Sequence, residues 1–168
     1  MQSPSFRFSP EVEYACTLCG ECCRERWRIP LDAAARDSLA RRDWSQTPLA
    51  EAARGDREFF VEPAPTLSTG AAFKTRDGAC VLLGDNSGCE AHRHFGETAK
   101  GVVCRLFPYL FVEAPEAVYV GYSFCCRPVR KPAELAQAER TSQESLEARY
   151  AEARRNCPGI HYQKAPSR

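Results

Sequence analysis

The sequence predicts a small α+β domain, and three observations predict it. Two stretches read as β-hairpins: an Asp77-Gly78 pair lies between apolar runs in "AAFKTRDGACVLL", and "YLFVEAPEAVYVGYSF" turns at Ala114-Pro115-Glu116. Short helices open at recognisable caps, Asp32 behind Pro30-Leu31 and Thr47 ahead of Pro48. Ten cysteines occur among 168 residues, four of them in the eight-residue stretch "CTLCGECC" from Cys16 to Cys23, so thiol-bound centres are expected to replace part of the hydrophobic core.

Taken in order, residues 1–15 read as extended and polar-aromatic, with Phe6, Phe8 and Tyr14. Gly20 inside the cysteine run permits a tight backbone path. A first helix is expected from Asp32 to about Arg42, and a second from Thr47-Pro48 to near Gly55. "EFFVEP" (Glu58–Pro63) reads as a strand, followed by the hairpin at Asp77-Gly78 and a turn at Asp85–Gly88. A mixed, helical segment runs from Cys89 to about Val103. The second hairpin pairs Tyr109–Val112 with Val118–Phe124. Pro132 to Asn156 reads as one long helix whose large apolar residues are Leu135, Leu146 and Tyr150, a thin face that suits a solvated helix or one that awaits a partner. The organisation expected is a cysteine-cluster domain over residues 1–130 and a C-terminal helical extension over 131–168 that packs back on it.

Composition narrows the function. Lys and Arg number 23 against 22 Asp and Glu, a formal charge of +1, so no bulk attraction to nucleic acid or anionic membrane is expected. Apolar runs fall far short of the ~20 residues that span a bilayer. Met1–Pro10 has no apolar core of a secretory signal, so the chain is read as cytoplasmic. In that reducing compartment clustered cysteines serve as metal ligands more often than as disulfides.

Cys16, Cys19 and Cys22 have the spacing C-x2-C-x2-C, which wraps one centre and presents three thiolates to it. It also matches the start of the bacterial ferredoxin run, whose remote fourth cysteine precedes a proline, as Cys157 precedes Pro158 here. Side chains of adjacent residues are expected to diverge, which makes Cys22 and Cys23 awkward ligands for one tetrahedral ion. Cys23 therefore belongs to another centre or to another metal of a larger cluster. A zinc site built from two C-x2-C pairs is not on offer, because no second C-x2-C exists in the chain. The candidate ligands are Cys16, Cys19, Cys22, Cys23, Cys80, Cys89, Cys104 and Cys157. Such a set suits iron–sulfur clusters, one or two and of the 4Fe-4S type, with zinc as the alternative. Cys125 and Cys126, at the end of an aromatic strand, are as readily small buried hydrophobes.

These residues resemble the YkgJ-type CxxCxxCC cysteine-cluster family, a zinc- or iron-chelating domain. The resemblance lies in three blocks: "CTLCGECC" followed by Arg24, "GACVLL" from Gly78 to Leu83, and Cys89 followed after a spacer by "CRLFP" from Cys104 to Pro108. The third block departs from the shorter members: His92 stands in a tyrosine position, and the spacer is longer, with Gly96 and Lys100. In this it is similar to the branch that includes flagellin lysine-N-methylase. "CPGI" (Cys157–Ile160) also looks familial. The resemblance implies metal or iron–sulfur binding, and its methylase branch implies S-adenosylmethionine. No glycine-rich fingerprint for that cofactor is present, and the C-x2-C-x2-C spacing differs from that of radical enzymes.

Other candidates carry plainer readings. His92 and His94 suit surface or core positions better than ligation. Arg105 could pair with a thiolate cluster or form an ordinary salt bridge. The aromatic hairpin is a core face rather than a base-stacking platform, since the chain lacks a basic stripe. "RPVRK" (Arg127–Lys131) reads as solvated surface. The function expected is a metal-cluster protein with a redox, electron-transfer or modification-support role and a protein or redox partner. A zinc-stabilised interaction module and the cluster domain of a methylase-like enzyme are the alternatives. Whether the chain is an enzyme is left open by its motifs.

Overall fold

The computed structural model describes residues 5–8, 16–131 and 141–158 with their side chains, and residues 163–164 as backbone. It is an α+β fold of short elements. Helix α1 (Ala33–Ala40) is capped as its sequence predicts, Asp32 Oδ1 accepting from the Ala35 amide at 2.9 Å. Helix α2 (Ala50–Gly55) begins later than Thr47-Pro48 suggests. The Thr47 hydroxyl donates to the Trp44 carbonyl at 2.8 Å and accepts from the Leu49 amide at 3.1 Å, closing a turn ahead of the helix.

The expected strand at Glu58–Pro63 shortens to β2 (Val61–Pro63), because Phe59 and Phe60 are drawn into a buried turn. β2 pairs antiparallel with β3 (Ala71–Phe73), the apolar run that was expected to pair across Asp77-Gly78. That turn joins two shorter strands instead, β4 (Thr75–Arg76) and β5 (Ala79–Cys80). Asp77 and Gly78 have φ of 53° and 80°, as a two-residue hairpin turn requires. The segment from Cys89 is broken by Gly96 into α3 (Glu90–Phe95), a 3-10 turn (Glu97–Ala99) and α4 (Val102–Leu106).

A four-stranded sheet completes the fold. β1 (Phe6–Phe8) runs parallel to β7 (Val118–Tyr122). β7 forms the second hairpin with β6 (Tyr109–Glu113), and β8 (Gln163–Lys164) runs parallel to β6. Tyr109 and Phe111 point inward beside Val118 and Val120, whereas Leu110 and Tyr119 point out, at 53% and 41% exposure. After α5 (Arg127–Arg130), helix α6 (Gln143–Asn156) starts at Ser142, whose hydroxyl accepts from the Ser145 amide at 3.2 Å. The expected start at Pro132 lies outside the described residues. Among the described residues no helix is long and apolar enough to cross a membrane.

Buried side chains gather in two clusters. The first joins the inner face of the sheet to α4 (Val102, Leu106), α5 (Val129) and α6 (Leu146, Tyr150, Ala153). The second gathers Leu31, Leu39, Trp44, Phe59, Phe60, Phe73 and Leu82 around α1 and β3. Helix α4 stands between them: Val102 and Leu106 fill the first cluster, and Cys104 packs against the second. The thin apolar face of α6 is enough because each of its large residues is used. Leu146 is 2% exposed, and Leu146→Ala is expected to lower stability by about 2–5 kcal/mol. Equilibrium urea unfolding should show a lower midpoint; an unchanged midpoint would mean that α6 is not fastened through this residue.

Candidate metal centre

The cysteine loop gets its shape from two glycines. Gly20, at φ 72°, caps a 3-10 turn formed by Glu21–Arg24, and the Cys23 amide returns to the Gly20 carbonyl at 3.1 Å. A Cβ on Gly20 would lie 2.7 Å from Leu83 Cδ1 and 2.8 Å from the Gly88 nitrogen. One on Gly88, at φ 94°, would lie 2.8 Å from the Leu18 carbonyl oxygen. The loop therefore sits backbone to backbone on the Asp85–Gly88 turn, an approach open to glycine alone. That turn is flanked by the bridge between Leu83 and Cys89, and the Leu83 amide donates to the Cys80 carbonyl at 2.9 Å. Glu21 ties the loop to α5 through Arg130 at 2.7 Å and Arg127 at 3.9 Å.

These contacts bring six thiols from distant parts of the sequence onto one cavity of about 340 Å³: Cys16, Cys22, Cys23, Cys80, Cys89 and Cys104. Lys100 lines the same cavity, whose remaining wall is largely apolar and includes Ile29, Phe73, Leu82, Leu106 and Phe107. Trp27, 38% exposed, stacks edge-on against Phe107 at 5.3 Å between ring centroids and forms part of the rim. The cavity lies between the two clusters, with Cys16 packed on the first and Cys80, Cys89 and Cys104 on the second.

The adjacent pair behaves differently from the expectation. Cys22 and Cys23 do not diverge to separate places: they share a sulfur–sulfur hydrogen bond, and Cys23 shares another with Cys80. Both residues lie in the 3-10 turn and both line the cavity. Cys19 is half-buried on the same loop but does not line the cavity. Cys157 lies elsewhere: it ends α6, fully buried in the first hydrophobic cluster. Cys126 is buried in that cluster too, and Cys125 is exposed. Among the described residues no three Cys, His, Asp or Glu side chains close on a single-ion site. The six thiols surround a volume rather than a point.

Electrostatics follow from enclosure. Cys22 is held far above the ordinary thiol range by the proton it shares with Cys23, then by burial. The hydrogen bond from Cys22 would lower Cys23, but donation to Cys80 and burial outweigh it and raise the thiol. Burial raises Cys89, against the pull of the His92 and Ala91 amides and of Lys100. These amides face the sulfur at the start of α3 without closing a capping hydrogen bond. Burial also pushes Cys104 up to about 12, again opposed by Lys100. For Lys100 burial alone would favour the neutral amine, yet Cys16, Cys104, Cys89 and Glu97 together raise it.

The other candidates stay off the cavity. Arg105 pairs with Glu152 on α6 and donates to the Lys100 carbonyl at 3.2 Å, an ordinary salt bridge with a positioning contact. His94 pairs with Glu90 at 3.0 Å. His92 Nδ1 is buried with no partner among the described residues, and burial, with Lys100 nearby, lowers its pKa. Lys100 is the site residue that sequence reasoning missed. Within a spacer it carried no motif, and only its closeness to sulfurs in the folded chain distinguishes it.

Two outcomes are expected. Gly20→Ala forces a side chain into the Gly88 backbone and should cost about 1–3 kcal/mol with a parallel fall in bound metal, measured by urea unfolding and metal analysis. Cys22→Ser should strip metal, whereas Cys157→Ala, at a residue buried in the apolar cluster, should retain it. Equal metal in both variants would break the assignment of the cavity.

With this geometry established, comparison with known proteins assigns the chain. A search of curated proteins and a search of solved structures each gave no match. The model of the CxxCxxCC family, described as "Putative zinc- or iron-chelating domain", matches residues 15–126, about two thirds of the chain and including nine of its ten cysteines. The chain therefore belongs to the CxxCxxCC family of cysteine-cluster, metal-chelating domains.

Proposed function

We propose that the chain holds an iron–sulfur cluster in the six-thiol cavity and serves electron transfer or another redox step. The observation that carries this reading is the shape of the donor set. Six soft sulfur ligands border one volume of about 340 Å³, and none of them closes in threes on a point. Thiolate ligands suit iron–sulfur clusters and zinc alike. A zinc ion takes four ligands at ~2.3 Å in a tetrahedron, fewer than the six thiols that border this cavity. Adjacent Cys22 and Cys23 on one wall suit two metals of one polynuclear cluster.

When bound, such a cluster supplies one-electron redox chemistry. The residues do the rest. Cys16, Cys22, Cys23, Cys80, Cys89 and Cys104 hold the metals, with Cys19 as a seventh candidate on the strength of its C-x2-C-x2-C spacing. Ile29, Phe73, Leu82 and Phe107 keep water from the sulfurs, which is one of the means by which a protein sets cluster potential. Trp27, partly exposed at the rim, offers a surface contact for a redox protein in solution, and a reducing, cytoplasmic setting suits the free thiols. Zinc is the second reading, because the family description names zinc beside iron and the same thiolates serve it.

The test is anaerobic purification with analysis for iron, zinc and acid-labile sulfide. The expected protein is brown, carries iron and sulfide in comparable amounts, and bleaches on chemical reduction. A colourless protein with stoichiometric zinc and no sulfide would overturn the cluster in favour of the zinc module.

A further inference from the structure

One cation stands inside the ring of thiols. Lys100 lies between the 3-10 turn and α4, and both its backbone groups are fixed. Its amide donates to the Glu97 carbonyl at 3.0 Å, and its carbonyl accepts from Arg105 Nε at 3.2 Å. Arg105 is itself held by Glu152. The side chain is therefore delivered into the cavity by a braced backbone rather than by a mobile loop. Among the described residues the Lys100 ammonium forms no ion pair. The carboxylate in its own turn, Glu97, is taken by Arg149, which binds both oxygens at 3.0 and 2.7 Å. The charge that Lys100 meets comes chiefly from sulfur, first Cys16, then Cys104 and Cys89, which line the same cavity.

An enclosed ammonium without a carboxylate is costly unless anionic groups face it. Protonated thiols supply no such charge. Several thiolates on a zinc ion or an iron–sulfur core do, because the assembly carries net negative charge that the metal does not cancel. A fixed cation placed against it makes the metal-loaded state more favourable. It also makes each added electron easier to accommodate.

We propose that Lys100 is the built-in counter-cation of the metal centre, a positioning residue that retains the thiolate-bound metal and raises the reduction potential of a bound cluster. The inference rests on the cavity being the metal site, and it applies to either metal.

The test compares the full chain as purified with its Lys100→Met, Lys100→Gln and Lys100→Arg variants. Two quantities are read: loss of bound metal to a chromophoric chelator, and the midpoint potential of the iron–sulfur form. The same variants loaded with zinc alone give the metal-loss measurement without a cluster. Met and Gln variants should lose metal roughly tenfold more readily, the scale that one unit charge produces from about 10 Å at an effective dielectric of about 20. Their cluster potential should fall below wild type, and the Arg variant should keep both properties near wild type. Wild-type behaviour in the Met and Gln variants would overturn the proposal. So would an Arg variant as impaired as the Met variant, since that would make the role steric. If circular dichroism shows that Met does not fold, Gln against Arg decides. A wild type that carries zinc and no sulfide removes the cluster reading by itself, and the zinc measurement then decides the role of Lys100 separately.

Discussion

Everything in this chain depends on a seam. Two modest hydrophobic clusters, one beneath the four-stranded sheet and one around α1 and β3, face each other across a cavity edged with sulfur. Cys16 belongs to the first side, and Cys80, Cys89 and Cys104 to the second. A metal centre held between them, as proposed above, would close loops of many tens of residues in a single step. Its binding free energy then becomes folding free energy. Helix α4 makes the arrangement possible, since its five residues supply core side chains to one cluster and a thiol packed against the other.

The same seam creates a contest between protons and metal. Burial favours the neutral thiol at Cys22, Cys89 and Cys104, and neighbouring sulfurs raise each of these three further. Several thiolates this close are compatible only with a compensating positive charge. The polypeptide places one such charge, Lys100, on the cavity wall, and on the proposed reading a bound metal would supply the remainder. Close approach of the cysteine loop to the Asp85–Gly88 turn makes the crowding unavoidable. With Gly20 and Gly88 back to back, the loop that carries Cys22 and Cys23 is seated on the turn that leads into Cys89.

Much of this was legible in the sequence because it is local. The Asp32 cap, the Asp77-Gly78 turn, the hairpin of Tyr109–Glu113 with Val118–Tyr122, and the C-terminal helix all rest on neighbours within a few residues. The family followed from three cysteine blocks. What was not legible depends on contacts distant in sequence. Ala71–Phe73 chose Val61–Pro63 as its partner because Phe59 and Phe60 bury there. Thr47 served the Trp44 carbonyl before it could serve a helix. Adjacency argued that Cys22 and Cys23 should separate, but a 3-10 turn anchored by Gly20 turned both toward one space. Cys157 precedes a proline, as a remote ferredoxin ligand does, yet the packing of α6 carries it into apolar surroundings. Lys100 had no pattern to betray it.

The distribution of the thiols along the chain has a consequence for biosynthesis. Cys16, Cys22 and Cys23 leave the ribosome early, and Cys104 follows only after the whole second cluster has been made. At roughly 5–20 residues per second, the first thiols wait several seconds before the wall that completes their cavity exists. During that interval they form an exposed, flexible chelator with no Lys100 beside it and no apolar cover. A metal ion that reached the loop at that stage would find only the N-terminal thiols, and the finished cavity adds Cys80, Cys89 and Cys104 and an apolar wall to the choice.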